Sequence, residues 1–352
     1  LPISEIRQSQ VQGRLTLGGN DVRITPDTPA LSRARGAVQF SETGFSLVGV
    51  QARALGGDVR LEGGMRALPP GAPPSEAVLQ LRAQGMASAE GLRQARELGL
   101  LSQLAKKATG SAPYAFTLAL RRGVPELQVS SSLQGLALAL PAPMGKPAES
   151  SMPVRFENQL TREALAPVAV PARPPPLHDQ LTLDIEGVGS VQYVRDLGTP
   201  QPRVLRGAIA LGLAREESAP LPERGVAANI QVGEVDVDAW ESLLLGPAAG
   251  ERAPVAPGTG EAGTIQDYLP HVLAVRAKAL TVQGRTLHHV LVGGSREGRV
   301  WRANLDAQEL NGYVEYRQAG AQDAGAGRLF ARLARLTVPQ SAASEVEALL
   351  DE

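Results

Sequence analysis

Three clusters in this 352-residue sequence hold side chains that could do chemistry. GTGEAG at 258–263 has the G-x-G-x-x-G spacing of a dinucleotide loop, where glycines let the backbone approach a pyrophosphate. His288 and His289 could ligate a metal through their imidazoles. Asp236 and Asp238, two residues apart, could share acid/base work from one strand face.

Each cluster needs an element to hold it, and the surrounding sequence does not supply one. The glycine loop follows RAPVAP, which cannot be the hydrophobic strand a dinucleotide site requires. Adjacent residues of a strand point to opposite faces, so His288 and His289 do not converge, and His178 and His271 are isolated. Asp238 has capping-box spacing with Glu241, which gives it a structural role at a helix start. VGSVQ and GGSREG do not match the G-x-S-x-G nucleophile elbow. The expectation is a protein that is not an enzyme, with no catalytic residues, no metal site and no cofactor.

Composition narrows the class. Lys+Arg 35 against Asp+Glu 36 leaves a net charge of −1, so the chain as a whole has no basic footprint for nucleic acid and none for an anionic membrane surface. Gly (38) and Pro (27) are abundant while aromatics are 3%, which suits many short strands and turns. Cysteine is absent, removing disulfides and thiolate chemistry. No apolar run approaches the length of a membrane-spanning helix. LPISEIRQ lacks an initiator Met, and strand-like alternation starts by Val11, so the chain reads as a section of a longer protein.

Alternation of period two recurs along the chain, as in Leu79 and Leu81 against Gln80 and Arg82, predicting on the order of twenty half-buried strands. SETG (41–44), GG (56–57), RRG (121–123), SREG (295–298) and NG (311–312) mark turns. In ALGGDVRLEGG (54–64) both glycine pairs are expected at strand ends, with Val59 and Leu61 facing away from Asp58, Arg60 and Glu62.

Helices are few. One is predicted over 88–108, capped by Ser88 and ended by Gly110, with Leu98, Leu101, Leu104, Ala105 and Ala108 on its buried stripe. It should be the longest. A short one follows VDVDAWESLLLG. Proline-rich residues 164–177 and irregular residues 247–263 set off three stretches of strands, 1–163, 178–246 and 264–352. Such strands can cover one another in a closed sandwich, a structural or adhesive stalk with no ligand, or leave their dry face open as a groove.

Four stretches resemble the AsmA-like superfamily, in particular its YhdP branch: 31–64 (LSRARGAVQFSETGFSLVGVQARALGGDVRLEGG), 110–147, VDVDAWESLL (235–244) and GRLFARLARLTVP (327–339). The resemblance implies a long antiparallel, strongly curved sheet with an open hydrophobic groove and a few short helices. It implies a middle section of a periplasmic bridge whose inner-membrane anchor lies outside this sequence. The implied partners are phospholipids moving toward the outer membrane, with outer-membrane or periplasmic proteins at the bridge end. Strand parity then makes Phe40, Leu47, Val59, Leu61, Leu79, Leu81, Phe116, Leu118, Leu127, Val129, Val154, Phe156, Leu181, Leu183, Ile209 and Leu211 the expected acyl-chain lining.

Overall fold

A computed structural model describes residues 11–23, 28–69, 72–73, 76–166, 175–213, 220–245, 266–319 and 327–337. These form eighteen strands and a few short helices, and the chain is mainly β. The strands are β1 (Gln12–Val22), β2 (Leu31–Ser41), β3 (Gly44–Ala54), β4 (Gly57–Arg66), β5 (Leu79–Ser88), β6 (Ala108–Arg121), β7 (Val124–Ser131), β8 (Leu136–Leu138) and β9 (Val154–Leu160). They continue as β10 (His178–Ile185), β11 (Gly189–Asp196), β12 (Arg203–Leu211), β13 (Gly225–Asp236), β14 (Val272–Val282), β15 (Arg285–Glu297), β16 (Val300–Asp306), β17 (Leu310–Arg317) and β18 (Arg328–Leu336). No helix among the described residues is long and apolar enough to cross a membrane.

The chain divides into two compact units. Unit 1 comprises residues 1–140, 144–187 and 193–202; unit 2 comprises 141–143, 188–192 and 203–352. In unit 1, β1 to β7 pair consecutively and antiparallel, β7 then pairs β9, and β9 pairs β10. The short β8 pairs only the first residues of β6. In unit 2, β14 to β18 are antiparallel. Neither run returns to its first strand, so neither closes as a barrel.

Three of the two-residue hairpin turns, Leu55–Gly56, Arg122–Gly123 and Gln283–Gly284, have positive φ at both positions. That is the turn whose twist matches the flanking strands. Gly56 is required: a Cβ there would lie 2.0 Å from the Ser88 Oγ. Two expected turns fall inside strands instead. Gly63 and Gly64 pair across to both β3 and β5 in mid-strand, where a β-bulge lies between Leu47 and Val50. Gly63 takes φ +115, and a Cβ on it would lie 2.1 Å from the Gln80 carbonyl oxygen. Asn311 and Gly312 lie in β17 opposite Asp306 and Leu305, because residues 307–309 make the turn and the Asn311 side chain donates to Asp306 (2.9 Å).

The expectation of an antiparallel sheet throughout is corrected at two places: β12 pairs β13, and β13 pairs β14, in parallel. Parallel neighbours need long crossovers. The chain supplies them over 212–224 and over 237–271, the second beginning with α3 (Val237–Leu245).

The predicted helix over 88–108 is a broken insert: α1 (Ala89–Gln94), a 3-10 turn, α2 (Leu100–Leu104) and a second 3-10 turn. Gly99, at φ +55 and ψ −117, cannot continue a helix. Hence α3 is the longest helix among the described residues. Ser88 does cap α1, accepting from Gly91 N at 3.0 Å. Of the expected leucine stripe, Leu101 is exposed and Leu98 and Leu104 are half-buried; the buried positions are Ala89, Gly91, Ala95, Ser102 and Ala105.

Candidate functional site

Register carries the sequence pattern across the sheet. In unit 1, Val38, Leu47, Gly63, Leu81, Leu118, Leu127, Asn158 and Leu181 form one cross-strand row. The next row is Val50, Leu61, Ala83, Phe116, Val129, Phe156 and Leu183. Phe40 and Leu79 fall on the row before these, with Phe45 and Met65; Val59 and Val154 fall on the row after, with Ala52, Gly85 and Tyr114. Cross-strand partners share a face, so all fourteen expected lining residues of unit 1 lie on one face. The opposite face carries Arg60, Glu62, Gln80, Arg82, Gln84 and Arg155, all exposed.

Burial on the apolar face is uneven. Val59 is buried at 4% and joins Ala34, Ala52, Ala54 and Ala83 in a small core, against which Leu61, Tyr114 and Phe116 pack. Phe40 is 42% exposed, and the other twelve are half-buried. No Phe or Ile among the described residues is buried; the core is made mostly of Ala and Val. In a closed sandwich the largest aliphatic and aromatic side chains would be the driest. A hollow of about 1040 Å³ opens over β1–β6, where Phe40, Phe45 and Met65 meet Arg66 and Arg121.

Ile209 and Leu211 belong to unit 2. Leu211 begins a row through Ile230, Val275, Val292, Leu305, Gly312 and Leu333, and Ile209 lies level with Ala228 and Leu273. Both are half-buried. Thus each unit presents an apolar face of its own.

A polar cluster interrupts the face of unit 1, and sequence reasoning missed it. Asp179 is 1% exposed and accepts from Arg195 Nε (3.0 Å) and Nη2 (2.5 Å); Arg195 Nη2 also reaches the Asn158 Oδ1 at 3.4 Å. The available signal was parity: Asn158 sits in step with Phe156, and Asp179 in step with Leu181 and Leu183. In unit 2, Arg296 is 6% exposed, donates to the backbone carbonyls of Gln266, Leu269, Pro270 and Gly298, and lies 5.6 Å from the Trp301 ring centroid. Lys146, 8% exposed, donates to the carbonyls of Leu133, Leu136 and Pro147. Burial pulls its ammonium below the usual lysine range, with Glu149 opposing.

The residues singled out for chemistry have structural partners. Asp236, not Asp238, caps α3 by accepting from Ala239 N at 2.9 Å. Asp238 instead accepts from Gln283 N and Gly284 N, both at 2.7 Å, clamping the β14–β15 turn. The exchange follows from the crossover, which brings α3 to that turn. His288 Nδ1 lies 2.6 Å from the Glu309 Oε1, and Glu309 also accepts from His288 N, at 2.8 Å. Burial raises the Glu309 carboxyl, but the bonds from His288 outweigh it and hold the group below the usual range. His271 Nδ1 accepts from Val226 N at 3.2 Å; burial and then the Arg296 charge lower its pKa, against Asp267. Among the described residues no three His, Asp or Glu side chains converge as a metal site. GTGEAG lies outside the described residues, as does all of 247–263 and the part of the proline-rich segment from 167 to 174.

No curated protein and no solved structure matches the chain. The sequence model of the YhdP protein family, a family related to lipid transport, matches residues 1–351, nearly the whole length. With its open, mainly β sheet and its apolar faces, this chain belongs to the YhdP family.

Proposed function

We propose that the chain is a periplasmic section of an inner-membrane-anchored bridge that holds phospholipid acyl chains on its apolar sheet face and lets them pass toward the outer membrane. The observation that carries this reading is the face of unit 1: fourteen apolar positions in register over eight strands, with the large side chains half-buried or, at Phe40, exposed. Methylenes laid on such a face gain about 0.8 kcal/mol each, a large total built from interchangeable contacts. Movement along the face exchanges one such contact for the next, so transfer needs no bond chemistry. The lining is apolar, eleven aliphatic side chains and three phenylalanines, which favours the chains of a lipid over any one headgroup.

Native mass spectrometry of the purified chain should find co-purified phospholipid. Leu61→Arg or Leu81→Asp should leave a folded protein that has lost most of it, since a charge among acyl chains costs several kcal/mol. Arg60→Ala, on the opposite face of the same strand, should keep it. Charged variants that unfold outright would favour a closed core, and variants that fold and retain lipid would remove those positions from the lining.

A further inference from the structure

The helical insert between β5 and β6 inverts the rule that the sheet follows. Its small residues are inside, and its large aliphatic residues are outside: Leu100 and Leu101 are each 58% exposed. The inner side is seated through Ala89, which packs with Ala108, Ala112 and Leu136. Gly99 breaks the helix and starts α2 on the two leucines. Beside them Arg96, Lys106 and Lys107 are exposed and make no ion pair among the described residues. On the acidic side Glu90 is held by Arg93 and Gln94, which leaves Glu97 as the single opposing charge.

Two exposed leucines flanked by an excess of cations match the chemistry of a lipid interface, with an apolar boundary beneath a layer of phosphates. We propose that this insert is a docking surface for an anionic phospholipid monolayer: Leu100 and Leu101 enter the acyl boundary while Arg96, Lys106 and Lys107 meet the phosphates. A protein partner is the less suited occupant, because the lysines would lose hydration at an interface that offers the leucines only a small apolar contact. The site is the outer side of the insert, whose inner side rests on Ala112, one row beyond Tyr114 on the apolar sheet face; the proposal rests on the lipid reading and extends it to the outside of the fold.

The test is flotation of the 352-residue chain with vesicles of mixed phosphatidylglycerol and phosphatidylcholine, and with pure phosphatidylcholine. Binding is expected to the mixed vesicles, weaker binding to the neutral ones, and weakening with salt. Leu100→Ser with Leu101→Ser should lower the affinity at least about tenfold. Lys106→Ala with Lys107→Ala should lower it about fivefold for each cation removed. Both variants should keep the parent circular-dichroism spectrum, because all four side chains are exposed, and should keep any co-purified lipid. Loss of vesicle binding with that lipid retained assigns the effect to the insert; vesicle binding in a chain that carries no lipid leaves the insert standing and sinks the groove. Variants that float like the parent, a parent that does not bind the mixed vesicles, or a leucine variant that changes only the sedimentation of the chain would each overturn the proposal.

Discussion

Unit 1 and the first strands of unit 2 solve the same problem by different means. From β1 to β7 each strand turns back on its predecessor, and tight turns such as Leu55–Gly56 fix register within a few residues. From β12 to β14 the strands run parallel, and their register is set by a crossover bolted at distant points. Asp238 reaches the turn at 283–284, and Trp240 Nε1 donates to the Ala142 carbonyl, 98 residues away, at 3.0 Å. Local turns make register a property of the sequence neighbourhood, whereas crossovers make it a property of the assembled fold.

The largest effect should come from unit 1. Asp179→Ala removes one carboxylate from the Arg195 guanidinium, whose side chain is 14% exposed, and breaking such a buried pair costs about 3–5 kcal/mol. Urea denaturation should show the loss. Were the variant as stable as the parent, the pair would be incidental to the face it interrupts.

Asp238→Ala should cost less, about 1–2 kcal/mol, because a half-buried carboxylate gives up two bonds to backbone N–H groups. Its signature is local. Hydrogen exchange should quicken at Gln283 and Gly284 and along β13–β14, while the β3–β4 hairpin stays protected. Uniform quickening across both units would mean that the crossover bond governs more than its own turn.

The same contrast explains what the sequence made legible. Period-two parity is enforced by the backbone, so the shared face of the residues from Leu47 to Leu183 could be read without the structure, and so could glycine-marked turns such as Arg122–Gly123. Parallel pairing leaves no local mark, and neither does the reassignment of the α3 cap from Asp238 to Asp236, since both residues have cap chemistry and only the fold chooses. The insert differs for another reason. Its leucines and its small residues both recur at helical spacing, and only packing selects the set that faces inward. Ala95, Ser102 and Ala105 are the buried face, and Gly99 was a helix breaker in plain view. Asn158 and Asp179 stood out of parity in the sequence, but their meaning depended on Arg195 arriving from another strand.

The smallest effect sharpens the comparison at the level of single turns. Gln283 and Arg122 hold the same place in equivalent hairpins, each a non-glycine residue at positive φ (+51 for both) before a glycine. A residue with a long side chain is strained there, and asparagine is the residue other than glycine that tolerates the left-handed region best. Gln283→Asn should therefore stabilise the protein, by about 0.5 kcal/mol. The Asp238 clamp should survive, because it uses the backbone N–H groups of 283 and 284 and no side-chain atom of Gln283. Arg122→Asn relieves the same strain but removes the guanidinium that donates to the Ala164 carbonyl, so it should yield no gain or a net loss. Thermal unfolding of the two variants beside the parent separates the cases. A gain at 122 as large as at 283 would show that the Ala164 contact contributes nothing, and a loss at 283 would show that the crossover imposes its own geometry on the turn it clamps.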